Sequence, residues 1–257
     1  MILPTRPLLN RLITSTSSSG IQTLTIDHPY SSLTSQILTQ LHNSVTTSTA
    51  KCIVIKSSNP KFFCSGHDLK ECNPQTPKCD LHSLFRLCNQ TMLTIQNSPI
   101  PCISSVSGLA TGAGLQIVLS SHLTVADEEA RFQTPGVNLG LFCSTPSVPL
   151  LHSVERKWAY EMLLTGDIFG VDDAFRWGLV NRVSSDLELD TQMLADKIVS
   201  KSFEAIRIGL EGIKYREGLS VEEEYEFAGK VMVDNMFEYD AKEGISSFIE
   251  KRKPNWK

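Results

Sequence analysis

The run CIVIK at Cys52–Lys56 constrains the fold more than any other stretch. It is apolar without alternation until its last residue, and Ile53, Val54 and Ile55 are β-branched. A strand of that kind is buried on both faces, so it belongs inside a sheet with cover on each side. The flanking sequence supplies the cover. Ile21–Ile26 reads as a strand and Thr34–Val45 as a polar, weakly amphipathic helix. Leu81–Gln96 reads as a helix with Leu84, Leu87, Cys88 and Ile95 at turn spacing. In PIPCISSV, Pro99 and Pro101 bar a helix and feed a strand at Cys102–Val106. A helix launched at Gly112 and a strand at Leu123–Ala126 follow.

Beyond Glu155 the pattern turns helical. RKWAYEMLLTG closes on Gly166 as a C-cap, DDAFRWG closes on Gly178, and Leu179–Val183 is the last expected strand. Three or four helices are expected from Leu187 onward. The last, near DAKEGISSFIEKRK, carries Ile245, Phe248 and Ile249 on one face and a basic end suited to the helix dipole. Strands alternating with helices, then helices alone, give an α/β class. The expected division is an N-terminal segment 1–20, a core 21–185 and a helical region 186–257 whose apolar stripes can pack on a second subunit.

Composition excludes several classes of partner. With 41 % hydrophobic residues in 257, the chain can bury a real core. A net charge of −4 gives no broad field for nucleic acid or anionic membrane, and no apolar run reaches the roughly 18 residues of a membrane span. LTSQILTQLHNSV, in the early helix, holds no Lys or Arg, which argues further against RNA. The seven cysteines are odd in number, irregular in spacing and without a CxxC pair, so neither a zinc site nor a disulfide framework is expected. Residues 1–26 carry Arg6 and Arg11, many hydroxyl residues and no acid. That suits a mitochondrial transit segment, and it equally suits a hairpin turning at SSSG; the cytoplasm is the alternative location.

Two stretches carry chemistry. In KFFCSGHDLKE, residues 61–71, a strand ends in Ser-Gly and exposes backbone N–H groups beside Lys70. In SGLATGAGLQ, residues 107–116, Gly112 and Gly114 clear side chains from the positive end of a helix. Two such N–H groups converging from separate loops form an oxyanion hole, where each donor is worth around 3–4 kcal/mol of transition-state stabilisation. Close packing at a glycine turn is the plain alternative for each stretch alone. The spacing is not the GxGxxG of a dinucleotide fold.

From about Ile21 onward the chain resembles the crotonase (enoyl-CoA hydratase/isomerase) superfamily. The resemblance rests on FCSGHDLKE, PIPCISSVSGLATGAGLQ, ARFQTPGVNLGLF, EMLLTGDIFGVDDAFRWGLVNRV and EGISSFIEKRKPNWK, in that order. It implies a ββα spiral core with a C-terminal helical oligomerisation region, trimers or hexamers, and an acyl-CoA thioester as ligand in fatty-acid metabolism, with no further cofactor. It assigns the oxyanion N–H groups to His67 and Ala113, with alanine at 113 where glycine is usual. It also assigns CoA contacts to Lys70 and Lys251, for which a solvated surface lysine is the alternative. The positions of the two hydratase glutamates fall on Gln116 and Gly136, and an acid of some isomerases falls on Ser144. None of the three is a carboxylate. Each general acid or base is worth roughly 10²- to 10⁴-fold, so hydration is not expected. Decarboxylation of a carboxyacyl-CoA, or binding without catalysis, is what the resemblance leaves. No neighbour is expected to substitute: His67 can titrate near neutrality but its side chain is read as running along the loop, Asp68 is read as a loop-capping acid, and Asn138, Cys143 and Ser144 can line the substrate pocket, Cys143 without an evident base.

Overall fold

The computed structural model describes residues 13–28, 30–216 and 218–257. The first twelve positions, with Arg6 and Arg11 of the targeting-type composition, lie outside the described residues. From Ile13 the chain forms a hairpin, β1 (Ile13–Ser18) and β2 (Ile21–Ile26). Ser19 and Gly20 both take positive φ, 51° and 80°, the geometry a two-residue hairpin turn requires. SSSG is therefore a turn.

Next come α1 (Ser35–Thr46), β3 (Cys52–Ser57), β4 (Phe62–Cys64) and α2 (Lys78–Gln96). The Thr34 hydroxyl caps α1 by accepting Ile37 N–H at 3.2 Å. The pattern repeats as β5 (Cys102–Val106), β6 (Leu109–Thr111) and α3 (Ala113–Ser120), and again as β7 (Leu123–Asp127) and β8 (Arg131–Gln133). A 3-10 turn at Pro135–Leu139 leads to α4 (Ser144–Ser153), α5 (Arg156–Thr165), β9 (Ile168–Gly170), α6 (Val171–Arg176) and β10 (Arg182–Ser184). The tail is α7 (Leu187–Val199), α8 (Phe203–Tyr215), α9 (Val221–Met236) and α10 (Tyr239–Ile249).

After the β1–β2 hairpin, the pairs β3–β4, β5–β6 and β7–β8 each split between two sheets before a helix follows. The large sheet runs β1-β2-β3-β5-β7-β10 and is parallel from β2 onward; the small sheet runs β4-β6-β8-β9. This is a ββα spiral. CIVIK sits at its centre as the apolar run required: Ile53 and Ile55 face the main core, while Cys52 and Val54 face a second cluster with Leu194 and Ala195 of α7.

Helix α2 begins at Lys78, three residues before the expected Leu81, and two later boundaries also differ from expectation. The last strand begins at Arg182, not Leu179, because Leu179 and Val180 donate their N–H groups to Ala174 O, closing α6 beyond Gly178. The final helix stops at Ile249, and Lys251 turns at φ 56°. There Arg252 reaches back to the Glu243 and Glu250 carboxylates, so the basic end pairs with side chains rather than with the dipole. Gly166 does cap α5, at φ 66°.

Candidate functional site

His67 is set by the way the chain leaves β4. It turns at Gly66, φ 84°, and runs beside Leu33 in one parallel bridge. Leu33 makes both bonds of the bridge, donating to Gly66 O at 2.7 Å and accepting Asp68 N–H at 3.1 Å. A residue bridged in this way turns its own N–H to the opposite side. Gly66 also touches the start of α3: a Cβ there would lie 3.0 Å from Thr111 O and 3.5 Å from Ala113 N. Ala113 opens α3, so its N–H is one of the donors a helix leaves without an intrahelical acceptor. The turn bearing His67 and the helix end bearing Ala113 are in contact.

Two glycines permit this. Gly112 takes φ 55°, ψ −120°, where a side chain is strained, and its N–H donates to Gln133 O of β8 at 3.0 Å. At Gly114 any Cβ would overlap the Cys64 carbonyl and side chain, so α3 sits directly on the end of β4.

The His67 imidazole packs edge-on against Phe85 of α2, with centroids 5.1 Å apart. Both ring nitrogens are buried without a partner among the described residues. Burial pushes its pKa below the ordinary value, against the opposing pull of the Glu71 carboxylate. It is a neutral ring in the folded state near pH 7. Asp68 is a loop-capping acid, its Oδ1 accepting Lys70 N–H at 2.9 Å.

Gln116 is 4 % exposed and lines a cavity of about 240 Å³ between α2, α3 and α4. Ser120, one turn further, lines the same cavity and is 3 % exposed. Gln116 Oε1 and Ser120 Oγ are both buried with no partner among the described residues. Thr145 of α4 and Asn89 and Gln96 of α2 complete the polar lining, and no lining residue carries a charge.

Gly136 is closed where Gln116 is open. The 3-10 turn folds back so that Leu141 N–H donates to Gly136 O at 2.9 Å, and Gly136 N–H donates to Cys143 Sγ at 3.2 Å. A Cβ at 136 would stand 2.9 Å from Cys143 N and 3.0 Å from its sulfur. Burial holds the Cys143 thiol above its usual pKa, with the Gly136 N–H acting the other way.

The remaining sequence-derived positions scatter. Ser144 starts α4 but is exposed, its hydroxyl turned to Phe142 O at 3.4 Å; the cavity is lined by its neighbour Thr145 instead. Lys70 is exposed and lines a separate open hollow with Glu71 and Ser83. Lys251 belongs to the tail, where α10 packs on α8 and α9. Ser120 was legible as the residue four after Gln116 on the same helical face, but Asn89, Gln96 and Thr145 were not. Among the described residues no group of three or more His, Cys, Asp or Glu could hold a metal ion. None of their helices is long and apolar enough to cross a membrane.

A family model for enoyl-CoA hydratase/isomerase matches residues 16–257. The chain belongs to that family. It is 38 % identical over 255 residues to mouse enoyl-CoA hydratase domain-containing protein 3, mitochondrial, covering 96 % of this chain and 84 % of that protein. It is 30 % identical to mevalonyl-coenzyme A hydratase of Aspergillus fumigatus over 98 % of this chain and 96 % of that one. Among solved structures, an enoyl-CoA hydratase of Mycobacterium smegmatis matches with a TM-score of 0.92 and 38 % identity, covering 95 % of this chain and 98 % of that one. Human enoyl-CoA hydratase domain-containing protein 3 matches with a TM-score of 0.92 and 35 % identity, covering 96 % of this chain and all of that one. The ββα spiral is thus the fold of this enoyl-CoA hydratase/isomerase relative, and several of its similar relatives are named as mitochondrial.

Proposed function

We propose that the protein handles acyl-CoA thioesters in lipid metabolism, holding the thioester oxygen on the backbone N–H groups of His67 and Ala113, without hydratase chemistry. The close approach of Gly66 to the start of α3, where an added Cβ would lie 3.5 Å from the Ala113 nitrogen, carries this reading, because it brings a loop donor beside a helix N-terminus. Lys70, on the same loop, would meet the CoA phosphates, and Lys251 would serve the same end from the tail. The α8–α10 tail leaves Tyr225, Phe237, Phe248 and Ile249 exposed, which suits burial in a homotrimer or hexamer. The names of the relatives support a mitochondrial location.

The neutral lining of the cavity bears on the reaction. Hydration needs groups that give and take protons, and Gln116 supplies neither. Decarboxylation of a malonyl-type thioester needs no base: the C–C bond breaks, carbon dioxide leaves, and the electron pair becomes an enolate on the two N–H donors. A solvent proton then completes the acyl product.

Calorimetry with crotonyl-CoA and methylmalonyl-CoA, followed by mass spectrometry after overnight incubation, tests the reading. Binding with loss of carbon dioxide from methylmalonyl-CoA is expected. Saturable binding without any product would replace the enzyme by an inert acyl-CoA-binding regulator. No binding at all would undo the thioester assignment.

A further inference from the structure

The Ala113 N–H is aimed by a peptide that no side chain fixes. The Gly112–Ala113 peptide is planar, so the Gly112 carbonyl and the Ala113 N–H lie in one plane and point opposite ways. Its tilt follows the Gly112 dihedrals, φ 55° and ψ −120°, and glycine permits a wide range of settings around them. Hydrogen bonds must therefore hold the plane. One comes from α3, where Gln116 N–H donates to Gly112 O at 3.1 Å. The other comes from Gln133, the last residue of β8, whose carbonyl accepts Gly112 N–H at 3.0 Å.

Gln133 also holds the residue before Gly112. It pairs with Thr111 of β6 on one side and with Ile168 of β9 on the other. Its side-chain amide spans the same gap: Oε1 accepts the Thr111 hydroxyl at 3.4 Å, and Nε2 donates to Gly166 O at 2.9 Å. Gly166 is the left-handed cap of α5, and Asn138 Nδ2 donates to the same carbonyl at 3.1 Å. That carbonyl is a fixed post, set by a helix end and shared by two amides. Reaching it and Thr111 together takes a donor and an acceptor on one planar head, which a glutamine amide has and a carboxylate lacks.

The packing of β8 does not depend on this amide. Thr134, the next residue, is fully buried and donates its hydroxyl to Met162 O at 2.6 Å, which ties the strand end to α5 by itself. What the Gln133 amide adds is restraint on the two residues that precede the donor.

We infer that Gln133 is a positioning residue for the oxyanion N–H of Ala113. Its backbone carbonyl holds Gly112 and its side chain holds Thr111, so the N–H that follows keeps one direction when a thioester arrives. This role rests on the reading of His67 and Ala113 as thioester donors and is independent of the reaction that follows.

Infrared spectra of hexanoyl-CoA, ¹³C-labelled at the thioester carbonyl and bound to the full chain, test it alongside calorimetry and thermal melts. Two aimed donors should lower the stretching frequency of the bound carbonyl below that of the free thioester. In Gln133→Met this lowering should shrink by about half, because one of two donors loses its aim, while hexanoyl-CoA still binds. Gln133→Glu keeps the size of the side chain, and its carboxylate is repelled by the Gly166 carbonyl. It should show the same loss, and it serves if the methionine variant does not fold. Thr134→Val removes the neighbouring tie to α5, and should lower Tm while leaving the carbonyl frequency unchanged. An unaltered frequency in the Gln133 variants overturns the positioning role and leaves the thioester reading standing. An equal change in Thr134→Val also overturns it, since any loosening of β8 would then suffice. An unshifted carbonyl in the unaltered protein, or no binding of hexanoyl-CoA, overturns the oxyanion reading and the positioning role with it.

Discussion

Residues 116 and 136 are both without a carboxylate, but they are unlike as places. Position 116 is a side chain facing open volume, with an unpartnered oxygen at the cavity floor. Position 136 is a backbone pressed against Cys143, with no volume for any side chain. One could be refitted with an acid by a single substitution, and the other could not without moving the 142–143 backbone. A lost acid reads in the sequence only as an absence, while the structure shows whether the space for it survives.

The largest effect that sharpens this contrast is Gly136→Glu. Its Cβ collides with Cys143, so stability should fall by about 2–3 kcal/mol, a drop in Tm of roughly 5–10 °C for a chain of this size. A Tm unchanged within a degree in a thermal melt would break the comparison.

Cys143→Ala comes next. It removes the sulfur that accepts Gly136 N–H and leaves that donor buried, at a cost of about 1–2 kcal/mol. Denaturant midpoints of Cys143→Ala and Cys143→Ser should separate, the serine variant recovering part of the loss because its hydroxyl can accept the same bond.

Gln116→Glu should fold, and its cost should depend on pH. A carboxyl in this uncharged cavity has its pKa raised above the ordinary glutamate value, so the folded state keeps a proton that the unfolded chain has lost. Stability should match the unaltered protein in mild acid and fall as pH rises toward neutrality. Any gain in crotonyl-CoA hydration should stay below about 10²-fold, since one general acid–base group acts without its partner. Full hydratase activity from this one change would contradict the account of position 136.

The smallest effect concerns His67. Its folded pKa is depressed by burial, so as pH falls the unfolded chain takes up a proton before the folded one. Its contribution to stability is complete above the ordinary value of 6.5 and is lost below it. His122, whose Nδ1 accepts Cys102 N–H, shifts in the same direction and shares that window. His67→Leu should therefore flatten the decline of Tm between pH 6.5 and 5 without abolishing it. An unaltered slope would mean that the ring is not held neutral against Phe85.

Much of the spiral was legible because its strands are decided by local physics. CIVIK carries burial on both faces in its composition, CISSV is placed by the prolines before it, and the Ser19–Gly20 turn and the Gly166 cap announce themselves by residue type. The small sheet was not legible, since β4, β6, β8 and β9 have three residues each and show no period. Helix α4 was hidden by Pro146 and Pro149, which read as breakers although the first sits in the opening turn, where proline is tolerated. The helix face of Gln116 and Ser120 could be counted from spacing. The contact between Gly136 and Cys143 could not, because a backbone folding back on itself leaves no periodic trace.

The measurement that bears most directly on the central claim is mass spectrometry of two reactions run in ¹⁸O-labelled water. One contains crotonyl-CoA and the other methylmalonyl-CoA, each with the unaltered protein. The account predicts no ¹⁸O-labelled hydroxybutyryl-CoA in the first and loss of carbon dioxide in the second. Labelled hydroxybutyryl-CoA formed at enzymatic rates would contradict it, because this site, as described, holds no group to move the proton.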